Sequence, residues 1–173
     1  MKQLLIRKGQ VEIEEVAAPP VQPGFVLIRT LASCISAGTE LATLTSSAES
    51  LMDRARRKPD LIQRGFDMLI TQGFARTLET VRGKLDVGSP SGYSLAGRVI
   101  EVGQGVDDLA PGQRVAAAGA GYASHAEVVC VPRNLVVPIP DKVSVEHAAS
   151  VTLGAIAIQG VRRADPTLGE SAA

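Results

Sequence analysis

Residues 92–114, GYSLAGRVIEVGQGVDDLAPGQR, constrain the fold more than any other stretch of this chain. Positions alternate loosely through Leu95, Gly97, Val99 and Glu101, and Val102-Gly103 ends the run. A polar Gln104-Gly105 turn follows, and after a short apolar link Pro111-Gly112 signals a second turn. Arg114-Val115 then opens another run of β-forming residues. Period-two alternation broken by glycine turns predicts strand, tight turn and strand.

The rest of the chain must fit around that unit. With 173 residues there is enough for one domain with a sizeable core, and not comfortably enough for two. Apolar residues make up 45% and charged residues 21%, the balance of a soluble globular protein. Formal net charge is zero, so nothing electrostatic favours nucleic acid or an anionic membrane as a partner. Three Phe, two Tyr and no Trp leave little for base stacking. The start MKQLLIRKG is too soon charged for a signal peptide, and no apolar run reaches membrane-spanning length. Two cysteines without a secretion signal place the expected location in a reducing cytoplasm.

Taken in order, residues 3–7 and 11–16 read as a hairpin across Lys8-Gly9. Ala17 to Gly24, with Pro19, Pro20 and Pro23, reads as a loop. Phe25 to Cys34 is a strand, with Val26, Ile28 and Thr30 on one face and Leu27, Arg29 and Leu31 on the other. From about residue 40 to 86 the period changes. Leu44, Leu51, Met52 and Ala55, then Ile62, Phe66, Leu69 and Ile70, then Phe74, Leu78, Val81 and Leu85 recur at helical spacing. Pro59 ends one predicted helix, Asp60 caps the next, and Gly73 and Gly83 are weak points. The basic run Arg54, Arg56, Arg57 and Lys58 reads as a solvated helix face, with an anion- or partner-docking patch as the alternative. Strands are expected at Arg114–Ala118, Tyr122–Pro132 and Leu135–Ile139, and one long helix from Ser144 to Arg163, stopped by Asp165-Pro166.

The pattern Gly92-x4-Gly97-x-Val99-x-Glu101-Val102-Gly103, followed by Pro111-Gly112-x-Arg114-Val115, closely resembles the catalytic domain of medium-chain dehydrogenase/reductases. That superfamily contains the alcohol dehydrogenases and quinone reductases. The hairpin, the Pro23-Gly24 turn, "VLIRTLAS" and "YASHAEVVCVPRNLVVPIPDKVSVEHAA" extend the likeness over the chain. The resemblance implies a mainly β fold: a GroES-like, partly open β-barrel with a helical insertion and a C-terminal helix that would lead into a Rossmann domain. The implied layout is a substrate-side domain over 1–144, with the insertion at about 40–86. The linker helix and a truncated start of the cofactor domain then cover 145–173. "SCISAGTE", "ETVRGKLD" and "LGAIAIQGVRRADPTLGE" narrow the resemblance to a zinc-lacking subgroup. Its members are often fused to a glucose–fructose-oxidoreductase-like domain and associated with bacterial surface-sugar metabolism.

Zinc-dependent relatives carry a thiolate ligand in a loop that here reads Cys34-Ile35-Ser36-Ala37-Gly38-Thr39-Glu40. Anchored on Ile35, the ligand position is Ser36; anchored on Gly38-Thr39-Glu40, it is Ala37. The second ligand position falls in Gly92-Tyr93-Ser94 and the third near Leu153-Gly154-Ala155. None is a zinc ligand of the usual kind. Cys34, Cys130, His125 and His147 share no ligand spacing; the cysteines read as small core residues and the histidines as surface or satisfied groups. The resemblance therefore implies hydride chemistry without zinc, with Ser36, Thr39, Glu40 and Tyr93 as the candidate catalytic residues. Tyr93 could donate a hydrogen bond to a substrate carbonyl, and the hydroxyls could relay a proton. The alternative for the same side chains is loop capping and packing.

The expected activity is the substrate side of an NAD(P)-dependent, alcohol dehydrogenase-like oxidoreductase acting on a small molecule, with sugar-related chemistry implied only by the subgroup. The expected assembly is a monomer or homodimer. The rival class is a stand-alone GroES-like binding or assembly module without redox activity. The Gly103-Gln104-Gly105 and Gly119-Ala120-Gly121 runs read as β-turns and not as a pyrophosphate cradle, which needs a helix behind it. NAD(P) is accordingly expected for a longer protein and not for these residues alone. Calorimetric titration of this chain with NADH and NADPH should show no micromolar binding; micromolar affinity would contradict the reading.

Overall fold

The structure, a computed structural model, describes residues 1–48, 88–167 and 169–170. The predicted helices that fall within 49–87 lie outside the described residues. The chain divides into two compact units: 1–3, 15–35 and 92–173 form the first, and 4–14 with 36–91 form the second.

The first unit is built on a five-stranded sheet. Its strands are β3 (Phe25–Ser33), β5 (Ser94–Val102), β6 (Arg114–Ala118), β7 (Val128–Pro132) and β8 (Val136–Pro138), in the order β7-β3-β5-β6-β8. All four pairings are antiparallel, and the sheet is open, not closed into a barrel. β5 lies at its centre, with Val26 opposite Val102 at one end and Ser33 opposite Leu95 at the other. Register shifts between Leu27 and Ile28 and between Thr30 and Ala32 bend β3 along it.

The glycines of the 92–114 stretch are explained by close approach. A Cβ on Gly97 would overlap the Arg29 carbonyl oxygen and stand 2.7 Å from Ile28 Cγ2. A Cβ on Gly103 would overlap the Gln22 carbonyl oxygen. Gly105 and Gly112 both have φ of +84°, each at the third position of a hydrogen-bonded turn: Val106 N–H to Gly103 C=O, and Gln113 N–H to Ala110 C=O. The expected alternation on β3 holds: Val26 and Ile28 are fully buried while Arg29 and Leu31 face solvent.

Both faces of β5 are covered. On one, Leu95 and Val99 join Val26, Ile28, Val115 and Val131 in the main core. On the other, Ala96 and Ala116 pack with Ile139 and Ala149, and small side chains there admit the helical segment that follows β8. The segment expected as one helix is two: α2 (Val145–Ala148) and α3 (Val151–Ala164). Ser94 gives the physical reason. Its buried hydroxyl donates to the Ala149 carbonyl at 2.6 Å and accepts the Thr152 N–H at 3.3 Å, taking up backbone groups that the break sets free. Ser144 caps α2, accepting the His147 N–H, and Asp165 in the left-handed region ends α3 just before Pro166.

Two further expectations need correction. The strand expected from Tyr122 begins only at Val128, because Tyr122 and Ala123 both donate backbone N–H groups to the Gly119 carbonyl and close a compact turn. The strand expected from Leu135 begins at Val136, since Arg133–Leu135 forms a 3-10 turn. That turn is held by Arg133, whose guanidinium pairs with Asp108 and holds its carboxyl below the usual range.

The second unit holds most of β1 (Lys2–Arg7) and β2 (Gln10–Glu15), with β4 (Ser89–Pro90) on the other side of β1, in an open three-stranded sheet. Lys8 and Gly9 have φ of 49° and 77°, the two positive values a type I′ hairpin turn requires. Helix α1 (Ala37–Ala48) meets that turn: the Gly9 N–H donates to Ser47 Oγ at 2.8 Å, and a Cβ on Gly9 would lie 2.6 Å from the Ala48 Cβ.

Replacing Ser94 by Ala should leave the Ala149 carbonyl buried without its donor. The expected loss is roughly 1–3 kcal/mol of unfolding free energy, read by denaturant titration; unchanged stability would show that the hydroxyl does not hold the break.

Candidate functional site

Ser36, Thr39 and Glu40 come together in the second unit, at the start of α1. The Ser36 carbonyl accepts the Glu40 N–H at 2.9 Å, so Ser36 stands at the N-cap position. Glu40 reaches back, its Oε1 accepting the Ser36 N–H at 3.1 Å. This is a capping-box type of exchange, shifted by one residue from the common spacing. Ser36 Oγ donates to Thr39 Oγ1 at 3.3 Å, and the Thr39 carbonyl accepts the Thr43 hydroxyl at 2.9 Å. Thr39 is exposed, and Ser36 and Glu40 are half-buried. The cluster thus has a structural task, capping α1, and also a chain of two hydroxyls along which a proton can pass.

Tyr93 belongs to the first unit. Its main chain is held from two sides: its carbonyl accepts the Gly119 N–H at 2.9 Å and the Thr152 hydroxyl at 3.2 Å. The start of α3 therefore fixes the residue just before β5. Gly92, with φ of +94°, lets the chain pass under His125; a Cβ there would lie 2.8 Å from the His125 ring. His125 Nδ1 is 2.8 Å from Ser33 Oγ. This imidazole–hydroxyl pair, against the residue preceding Tyr93, was not legible in the sequence. Ser33 and His125 are 92 positions apart, and only the pairing of β3 with β5 and the turn after β6 bring them together.

The resemblance puts zinc ligands at positions where this chain carries other side chains. Ser36, Ala37, Tyr93 and Leu153-Gly154-Ala155 offer hydroxyl or aliphatic groups where thiolate, imidazole or carboxylate are needed. Among the described residues no three His, Cys, Asp or Glu side chains gather as a metal site. The turns at Gly103–Gly105 and Gly119–Gly121 both run on toward strands, β6 and β7, so neither sets backbone N–H groups at a helix N-terminus. No described helix is long and apolar enough to cross a membrane.

Residues 65–141 match the family model described as the alcohol dehydrogenase GroES-like domain. The quinone oxidoreductase of Coxiella burnetii superposes over 98% of this chain and 47% of its own, with a TM-score of 0.69 and 21% identity. The Escherichia coli quinone oxidoreductase, solved in complex with NADPH, superposes over 94% of this chain and 40% of its own, with a TM-score of 0.64 and 14% identity. A curated relative, polyketide synthase GfsB of Streptomyces halstedii, is 52% identical over 58 residues, which is 34% of this chain and 1% of that protein. The chain thus spans less than half the length of either solved relative. The shared fold is that of the GroES-like domain of medium-chain dehydrogenase/reductases, as the sequence resemblance implied.

The capping geometry separates two roles for Glu40. Glu40→Gln keeps the Oε1 acceptor and should leave stability nearly unchanged. Glu40→Ala removes it and should cost about 0.5–2 kcal/mol, as lost helix caps do, in denaturant unfolding. Equal losses in both variants would show that the charge, and not the cap, matters.

Proposed function

We propose that this chain is the substrate-side domain of a zinc-independent, NAD(P)-dependent oxidoreductase, and that it does not turn over substrate by itself. The observation that carries the reading is the surface of α3. Leu153, Ile156, Ala157, Gly160, Val161 and Ala164 follow i, i+3, i+4, i+7, i+8 and i+11 spacing and so form one stripe. Leu153, Ile156 and Val161 are 36%, 61% and 60% exposed, and the stripe is without cover among the described residues. Apolar helix faces of this kind are normally buried. The occupant proposed is a nucleotide-binding domain, which the greater length of the solved relatives leaves room for.

In this reading the nicotinamide supplies or accepts the hydride, and this chain positions the substrate and handles the proton. Tyr93, fixed through its carbonyl, donates its phenolic hydrogen to the substrate oxygen. Ser36 and Thr39 are a hydrogen-bonded hydroxyl pair of the second unit, and Glu40 holds their turn in place. His125 with Ser33 steadies the glycine before Tyr93. Substrate oxygen is polarised by hydroxyl donors in place of a metal.

The 58-residue match favours a second, narrower reading: a reductase domain within a polyketide synthase, working on acyl chains. The two are told apart by whether NADPH oxidation requires a thioester substrate or proceeds with free alcohols, aldehydes or quinones.

The test is made on the longer protein that contains this chain. Tyr93→Phe should lower kcat roughly a hundredfold without loss of stability, and treatment with a strong zinc chelator should leave the rate unchanged. Chelator inactivation reversed by zinc, or a fully active Tyr93→Phe enzyme, would overturn the mechanism.

A further inference from the structure

We propose that the outer edge of β7, in the first unit, docks a short extended peptide segment of another chain, which adds to the sheet as a further strand. β7 is an edge strand of the five-stranded sheet. Its pairing with β3 decides which of its backbone groups are used. The Arg133 N–H donates to the Gly24 carbonyl at 2.9 Å, and the Thr30 N–H donates to the Glu127 carbonyl at 3.0 Å. Hydrogen bonds of an antiparallel ladder fall on alternate residue pairs. With Leu27 opposite Cys130 and Arg29 opposite Val128, it is therefore Val129 and Val131 that bond to β3. The N–H and C=O groups of Val128 and Cys130 point the other way. Among the described residues none of these four groups has a hydrogen-bond partner.

A cavity of about 470 Å³ lies along that edge. Val128, Val129 and Cys130 line it together, with the loop around Val16 to Gln22 and the turn at Gly121–Ser124 as its other walls. Successive side chains of a strand point to opposite faces. Three consecutive residues on one wall therefore place the cavity beside the strand and not over one face. The chain itself uses the same edge one step earlier. Gln3 bridges Ala126 in the antiparallel sense, and the Glu127 N–H donates to the Lys2 carbonyl at 3.0 Å. Met1 then turns its amino group and its carbonyl to Val16, both at 2.8 Å, and the pairing stops there. The groups left bare define the occupant. Donors and acceptors repeating every two residues, roughly 7 Å apart, match the main chain of an extended peptide. The sequence of β7, VVCVP, carries no charged side chain that would keep such a strand away. Val16, Pro19, Phe25 and Tyr122 on the walls suit β-branched side chains on the incoming segment.

The experiment titrates the full chain, labelled with 15N, with the peptide acetyl-Thr-Val-Thr-Val-Thr-amide. The same peptide methylated at every backbone nitrogen is the comparator. Saturable shifts centred on the Val128 and Cys130 amides are expected at or below about 1 mM. Hydrogen exchange at those two amides should slow about fivefold or more near saturation, while Val129 and Val131 keep their rates. The methylated peptide should bind at least about tenfold more weakly. Cys130→Pro removes a donor that β3 does not use and should weaken binding by about as much. Ala17→Trp, on an exposed loop residue at the cavity wall, should do the same by filling the slot. Thermal unfolding controls the fold of each variant. No saturable binding of the first peptide overturns the proposal, as do shifts centred elsewhere, equal binding of the methylated peptide, or full affinity in either folded variant. Protection of the same amides that rises with the chain's own concentration, without peptide, would make the occupant a second copy and overturn it too.

Discussion

The close contact between β5 and β3 at Gly97 is the constraint on which the first unit depends. No side chain fits between Gly97 and the Arg29 carbonyl, so β3 lies directly against the central strand there. Larger residues would push β3 outward and with it Val26 and Ile28, both fully buried in the main core. Gly103 repeats the device at the far end of β5, where the Gln22 carbonyl passes close. The strand thus sets the position of β3, of the loop before it and of β7 on the other side of β3.

The same strand organises the candidate chemistry of its unit. Ser94, its first residue, joins α2 and α3 by hydrogen bonds to Ala149 and Thr152. Thr152 in turn binds the carbonyl of Tyr93, the residue just before the strand. A hydroxyl in the place where the resemblance puts a metal-site neighbour therefore serves helix geometry. The exposed stripe of α3 starts from that fixed point, so a partner covering the helix would be oriented relative to Tyr93 through the hydroxyl-to-backbone hydrogen bonds of Thr152 and Ser94.

Much of this was legible from residue patterns. The Lys8-Gly9 hairpin, the Pro23-Gly24 turn, β3, β5 and β6 all announce themselves through alternation and glycine turns, because local sterics decide them. The break at Ala149-Ser150 was not legible. The helical period runs straight through it, and only a buried hydroxyl 55 residues away supplies the reason. The late start of β7 was hidden for a similar cause: Tyr122 to Glu127 has strand-like composition, yet Gly119 collects two of its backbone N–H groups. Site residues divide in the same way. Ser36, Thr39 and Glu40 are close in sequence and could be read as a cluster, whereas the Ser33–His125 pair exists only through the sheet.

The reading of this chain as one side of a metal-free hydride-transfer pocket is tested most directly by isotope transfer. The longer protein would be given NADPH carrying deuterium at the reactive nicotinamide carbon, in metal-depleted buffer, and its reduced product examined by mass spectrometry. The account predicts one deuterium per product molecule with no zinc present. Product that acquires only solvent hydrogen, or label transfer that appears only when zinc is restored, would contradict it.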